Sequence, residues 1–200
     1  EVTSYGNIRL AWLKAARGKR MTRAVRAFTE DLDANLDDVR CRLAGTNPQW
    51  GQYRSFRIIE PKERTISAAS FPERVMHHAL MNVLEPVFER HLIDHSYACR
   101  KGKGTHAAVR YAGRATTSGR SFAKLDMKKY FDSIDHAILK TLLLRLCKDT
   151  HVLFLLDGII DSYQTVPGKG LPIGNLTSQY FANYYLSCLD HYILEQLHPI

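Results

Sequence analysis

The sequence predicts an α+β protein, because long stretches repeat their apolar residues at the helical period, one pair of short β-prone runs reads as a hairpin, and a further run alternates like a strand. With 200 residues, 45% of them hydrophobic, the chain can bury a real core in about one to two domains, which excludes bulk disorder. From Val25, the residues Phe28, Leu32, Leu36, Val39 and Leu43 recur at steps of three and four, predicting one long amphipathic helix that Gly45 closes. Tyr53–Glu60 and Arg64–Ala68 follow as the two hairpin strands, separated by Pro61, Lys62 and Glu63. After Pro72 a helix carries Val75, Ala79, Leu80, Val83, Leu84, Val87 and Phe88 on one face, and Pro86 should kink or break it. A basic glycine-containing loop, 100–104, leads to a helix around 107–115. Residues 121–127 alternate as a strand with Ala123, Leu125 and Met127 on one side and Phe122, Lys124 and Asp126 on the other. Asp135 is an N-cap for the helix of Ile138, Leu139, Leu142, Leu143 and Leu146. A helix over 152–163, a Gly/Pro loop over 167–174 and a helix over about 176–197 complete the chain.

Lys and Arg total 28 against 20 Asp and Glu, a formal charge of +8 that suits a protein meeting polyanions and argues against an acidic solvating role. Half of these cations fall in two acid-free stretches. The first, over 2–29, holds Arg9, Lys14, Arg17, Lys19, Arg20, Arg23 and Arg26; the second, between Asp94 and Asp126, holds Arg100, Lys101, Lys103, Arg110, Arg114, Arg120 and Lys124. Such runs either line a solvated face or meet phosphates. Cys41, Cys99, Cys147 and Cys188 form no Cys-x-x-Cys pair, so neither a zinc knuckle nor a disulfide framework is expected, and a reducing cytoplasm is the simpler setting. His91, His95 and Cys99 share a four-residue spacing but lack a fourth ligand. The longest apolar run, 152–156, is far short of the roughly 18–20 residues of a membrane span.

Asp126 stands out at the end of an otherwise apolar strand, where a carboxylate is a poor packing choice unless solvated, capped or bound to a cation. An aromatic, Phe131, follows five residues later across a tight turn. Backbone amides in such a turn make a concavity suited to phosphate.

The run from Phe122 through Asp126 to Phe131 and Asp135 resembles the reverse transcriptase motif that holds the first catalytic aspartate. The likeness covers roughly residues 54–198 in the family's order. Arg57 to Ile66 is similar to the fingers hairpin, Arg74 to Phe88 to the helix after it, and Ser96 to Val109 to a block shared by group II intron, retron and diversity-generating retroelement enzymes. Gly170 to Gln179, with Asn183, is similar to the glycine-rich loop and helix start. Most reverse transcriptases carry Gln-Gly-x-x-x-Ser-Pro in that loop, whereas Ile173-Gly174-x-x-x-Ser178-Gln179 resembles the diversity-generating retroelement type.

The resemblance implies a right-hand polymerase: a basic helical N-terminal extension over 1–52, fingers over 53–120, and an incomplete palm over 121–200. It implies RNA-templated DNA synthesis from dNTPs with Mg²⁺ as cofactor, Asp126 as the catalytic residue, and Asp126 with the carbonyl of Met127 as metal ligands. Arg57, Arg64, Lys129, Tyr130, Phe131, Ile173 and Gly174 would contact the dNTP, with Lys62 a weaker candidate and Phe131 lying under the sugar. Arg100, Lys101, Lys103, Gln179 and Asn183 would meet the RNA template and DNA primer. Ile173 offers only apolar contact where Gln could hydrogen-bond, so low fidelity is expected. The implied partner is a small, basic, oligomeric accessory protein. The sequence lacks the Tyr-x-Asp-Asp hairpin the family places after the last helix, so the chain reads as an N-terminal fragment that alone would not polymerise. A retron or group II intron-like enzyme, or a non-catalytic RNA-binding or maturase-like protein keeping the fold, is the alternative.

Overall fold

A computed structural model describes residues 1–59, 62–116 and 123–197. Helices enclose one continuous apolar core, and a single two-stranded antiparallel sheet stands out from it among the described residues.

The N-terminal region holds α1 (Tyr5–Ala16), α2 (Arg23–Glu30) and α3 (Leu32–Ala44). The single long helix expected from Val25 to Leu43 is divided at Asp31, whose backbone at φ −126°, ψ 64° leaves the helical region. The division is locally satisfied, since Asn35 Nδ2 donates at 3.0 Å to the Phe28 carbonyl released at the end of α2. It also lets Phe28 pack edge-on against Phe71 at 5.1 Å while Leu36, Val39 and Leu43 reach the core separately. As expected, Gly45 closes α3, its amide donating to the Cys41 carbonyl at 2.9 Å.

Strands β1 (Tyr53–Ile59) and β2 (Glu63–Ala69) pair from Tyr53↔Ala69 to Ile59↔Glu63. The turn residues Glu60 and Pro61 lie outside the described residues. Helix α4 (Phe71–Glu89) is the spine of the core, with Val75, Met76, Ala79, Leu80 and Phe88 fully buried. Pro86 does not end it. Pro86 sits in the last turn, where few hydrogen bonds are at stake, and Phe88 is held among Tyr180, Phe181 and Tyr184 at 5.6–6.3 Å. Because α4 stops at Glu89, His91, His95 and Cys99 do not share a helical face. Helix α5 (Thr105–Thr116) buries no residue; Tyr111 stacks on His95 at 4.4 Å.

The strand expected at 121–127 is not formed over 123–127, and Ser121 and Phe122 lie outside the described residues. A strand needs a ladder partner, and no described strand pairs with this segment, so Leu125 and Met127 stand 84% and 56% exposed. The chain then makes α6 (Tyr130–Ser133), α7 (His136–Leu146), α8 (Thr150–Asp161) and α9 (Leu176–His191). Asp135 caps α7 as expected, accepting from the amides of Ala137 at 3.0 Å and Ile138 at 3.2 Å. The α-helix expected to reach Leu197 ends at His191 and widens into a π-turn over Tyr192–Gln196.

Candidate active site

Backbone geometry brings three distant segments to one cleft. Lys129 adopts a left-handed conformation, φ 49° and ψ 47°, which turns the chain from 123–128 sharply into α6. The loop after α8 then fastens onto α6. Leu171 N donates to the Phe131 carbonyl at 2.9 Å, Gly170 N to the Ile134 carbonyl at 2.9 Å, and Thr165 Oγ1 to the Asp132 carbonyl at 2.9 Å. Buried His136 adds a contact between Nε2 and the Gly170 carbonyl at 2.8 Å. These bonds satisfy carbonyls that a four-residue helix cannot satisfy itself.

The same loop docks against the hairpin. Ser67 N donates to the Ile173 carbonyl at 2.8 Å. Gly174 follows at φ +124°, and a Cβ there would lie 2.9 Å from Ile66 Cγ2 and 3.3 Å from the Ser67 carbonyl oxygen. Glycine is therefore required both for its backbone conformation and for the close approach.

The resulting cleft, about 620 Å³, is lined by Lys62, Glu63, Arg64 and Thr65 from the hairpin, Lys129 to Asp132 from the α6 turn, Tyr163 and Ile173. Among the described residues, Lys62, Arg64 and Lys129 form no ion pair, and Glu63 and Asp132 are the acids lining the same cavity. Such a cleft suits a polyanionic small molecule with an apolar portion resting near Phe131 and Ile173. The Tyr130 hydroxyl donates to the Ala182 carbonyl at 2.6 Å, and burial drives its pKa upward, so it is a neutral strut between α6 and α9.

Of the residues expected to contact a dNTP, Arg64, Lys129, Tyr130, Phe131 and Ile173 thus converge, and Lys62 joins them. Gly174 lies on the adjoining side of the hairpin. Arg57 is outside the cleft, exposed and paired with Glu63 at 3.1 Å. Asp126 and Met127 are exposed and do not line the cleft. A divalent cation needs several hard oxygens, and no group of three or more His, Cys, Asp or Glu gathers among the described residues. Among the described residues, Asp126 with the Met127 carbonyl therefore offers too few oxygens to hold such an ion alone.

The residues expected at the template and primer divide. Arg100, only 9% exposed, pairs with Glu89 at 2.9 Å and donates to the carbonyls of Ile93 at 2.7 Å and Ser96 at 2.9 Å. Lys101 pairs with Glu85 at 2.8 Å and Lys103 with Asp94 at 2.7 Å, so all three cations brace the 90–104 loop. Asn183 Nδ2 donates to the Ala98 carbonyl at 2.7 Å, while Gln179 lines a cleft beside Gly174. Tyr163 and His136 were missed from sequence. His136 closes the run that resembles the first-aspartate motif but is given no role there, and Tyr163, expected as the last residue of a helix over 152–163, lies just beyond the helix end at Asp161.

The fold and the cleft define a protein with a basic, partly apolar cavity between a hairpin and a helical base. Residues 59–198 match the family described as reverse transcriptase (RNA-dependent DNA polymerase), and the chain belongs to that family. Its members act on RNA templates and generally use divalent metal ions. It is 29% identical over 140 residues to the group II intron-encoded protein LtrA of Lactococcus lactis subsp. cremoris, covering 67% of this chain and 23% of that protein. It is 25% identical over 155 residues to protein YkfC of Escherichia coli (strain K12), covering 70% and 41%. Nuclear intron maturase 1, mitochondrial, of Arabidopsis thaliana is 31% identical over 101 residues, covering 50% and 14%. The chain spans less than half the length of each of these relatives. Among the described residues, no helix is long and apolar enough to cross a membrane.

Proposed function

We propose that this chain is the nucleotide-receiving part of an enzyme that copies RNA into DNA by nucleotidyl transfer from dNTPs. The convergence of Lys62, Arg64, Lys129, Phe131 and Ile173 on one cleft, from three segments far apart in sequence, carries this reading. Arg64 and the lysines neutralise the triphosphate, and Phe131 lies beneath the sugar, where a ribose 2′-hydroxyl would crowd it. In the intact enzyme Asp126 and the Met127 carbonyl would supply two of the oxygens for a divalent ion such as Mg²⁺, which would there stabilise charge on a transferred phosphoryl group, and the remaining ligands would come from outside this constellation. RNA template, DNA primer and dNTPs are the partners, and the four free cysteines suit the reducing cytoplasm. In the intact enzyme, Asp126→Ala should abolish primer extension and leave salt-sensitive RNA binding in place. Retained extension would remove Asp126 from catalysis.

Within the family, Ile173-Gly174-x-x-x-Ser178-Gln179 favours the error-prone diversity-generating retroelement type, with its basic accessory protein as a further partner. Ile173 lines the nucleotide cleft with an apolar side chain that cannot hydrogen-bond to a base pair. A group II intron-like enzyme is the second reading, favoured by likeness to LtrA and the intron maturase. Sequencing cDNA from the intact enzyme separates them. The first reading expects frequent misincorporation at template adenines, reduced by Ile173→Gln. The second expects few errors from the unmodified enzyme.

A further inference from the structure

The base of the hairpin carries a hydrogen-bonded seam beside the nucleotide cleft. Asn175 sits at the N-cap of α9, where an Asn side chain ordinarily accepts from the first helical amides, yet it makes no capping bond. It is instead buried and turned toward β1, with Nδ2 donating to the Tyr53 hydroxyl at 3.2 Å and Oδ1 enclosed without a partner. The Tyr53 hydroxyl lies 2.8 Å from Ser162 Oγ, and Ser162 Oγ donates to the Ile159 carbonyl at 2.7 Å. With the serine hydrogen already used, the direction of the whole seam is fixed: Asn175 donates to Tyr53, Tyr53 to Ser162, and Ser162 to α8. Burial raises the Tyr53 pKa to about 12, so the phenol keeps the proton it donates.

Both ends of this seam border residues of the cleft. Tyr163, next to Ser162, lines the cleft, and its ring stands edge-on to Tyr53 at 5.8 Å and 85°. Ile173, two residues before Asn175, lines it too, and its carbonyl accepts from the Ser67 amide at 2.8 Å. The hairpin base is itself clamped to α4, where the Glu73 carboxylate accepts from the Gly51 amide at 3.0 Å and the Gln52 amide at 3.3 Å. Tyr53 pairs with Ala69, and β2 runs five residues from Ala69 back to Arg64. At the strand rise that arm is about 17 Å long, so a tilt of about 3° at its base moves Arg64 by about 1 Å.

We propose that the Tyr53 hydroxyl is the positioning group of the nucleotide cleft, fixing the angle between the arm that carries Arg64 and the wall that carries Tyr163 and Ile173. Asn175 gives up its capping role to supply the donor, and Ser162 supplies the acceptor. Tyr53, Ser162 and Asn175 do not line the cleft, so they act on a bound nucleotide through Arg64, Tyr163 and Ile173. Without the hydroxyl, Asn175 Nδ2 loses its acceptor, its side chain swings onto the amides of α9, and the Ile173–Gly174 peptide follows it. That the ligand is a dNTP rests on the polymerase reading; the seam does not.

The test is equilibrium dialysis of radiolabelled dTTP against the 200-residue chain, with circular dichroism confirming that each variant is folded. Tyr53→Phe should weaken binding about three- to tenfold, the value of one net hydrogen bond. Asn175→Ser removes the donor but keeps a residue suited to cap α9, so it should weaken binding by a similar factor with little change in the urea midpoint. The double variant should be no weaker than either single one, because both break the same bond. Tyr184→Phe is the control: it also strips a tyrosine hydroxyl of its carbonyl partner, Leu142 at 3.2 Å, but away from the cleft, and should leave dTTP affinity unchanged. In the intact enzyme the shift should appear as a KM for dTTP raised about three- to tenfold, with kcat changed by less than about twofold. Unchanged affinity in Tyr53→Phe and Asn175→Ser would overturn the proposal, as would equal weakening in Tyr184→Phe or a loss confined to kcat. If the unmodified chain binds no dTTP, the proposal and the cleft reading fall together. Unchanged affinities in a chain that does bind dTTP leave the polymerase reading standing, and failure of primer extension leaves the affinity changes standing.

Discussion

Gly174→Ala tests how the nucleotide cleft is held together. The residue adopts φ +124°, where an added side chain is strained by roughly 1–3 kcal/mol. A Cβ would also meet Ile66 Cγ2 at 2.9 Å and the Ser67 carbonyl oxygen at 3.3 Å. The methyl group can yield by rotation, but the carbonyl belongs to β2 and moves only with the hairpin. Overpacking of this kind costs roughly 1–3 kcal/mol. Displacing the loop further endangers the 2.8 Å Ser67–Ile173 hydrogen bond, about 1 kcal/mol. The sum is about 3–7 kcal/mol. Gly168 is the internal control: it too has a left-handed backbone, φ +73°, yet a Cβ there meets nothing within 4 Å, so Gly168→Ala should show the strain alone. Urea unfolding followed by circular dichroism should place Gly174→Ala at least about 2 kcal/mol below Gly168→Ala. Removing the Ile66 methyl group with Ile66→Ala should make the Gly174 substitution milder in a double-mutant cycle. Equal losses at the two glycines would refute the idea that loop and hairpin are in enforced contact.

Four further outcomes are expected. Arg100→Gln should destabilise the chain by about 2–3 kcal/mol in urea unfolding, since a pair this enclosed leaves Glu89 and two carbonyls unmet; a stable variant with weakened RNA binding would return Arg100 to the template. Asp135→Ala should cost about 1 kcal/mol through loss of the α7 cap, and a change under a few tenths would contradict the capping geometry. His78 is held down to about 4 in the fold against 6.5 when unfolded, so the unfolded chain binds the extra proton between those values. Stability is therefore full above about pH 6.5 and declines as pH falls towards 4, and urea midpoints should show a shallower decline in His78→Gln. In the intact enzyme, Phe131→Ala should relax discrimination against ribonucleotides; unchanged ratios of kcat/KM for dNTP and NTP would place the ring elsewhere than under the sugar.

Local chemistry was legible where a residue acts on its own neighbours. Asp135 could be read as a cap because its partners are two and three residues away, and Gly45 as a helix stop for the same reason. Pro86 misled, because its effect depends on how near the helix end lies and on Phe88 being gripped by α9, neither of which the local pattern contains. The strand at 121–127 misled for a related reason, since alternation describes a face but cannot supply a ladder partner. Basic residues were the least legible. Arg100, Lys101 and Arg74 look alike in sequence, but acids on α4 neutralise the first two and none reaches the third. The cleft itself was partly legible, because the motifs named Arg64, Phe131 and Ile173, while their meeting depends on hydrogen bonds from the backbone amides of Gly170, Leu171 and Ser67, donors that carry no side-chain signature.

The hairpin's two faces make it a common wall. The Ile173–Gly174 peptide crosses beneath it, with Ile173 in the nucleotide cleft and Gly174 in a cleft on the other side, so it works as a pivot tying one side to the other. A tilt of β1 and β2 about that pivot would narrow one space as it widened the other, so ligands held on the two sides would be coupled through the hairpin. Thermodynamic linkage requires that whatever either ligand does to the other's affinity be returned by the same factor.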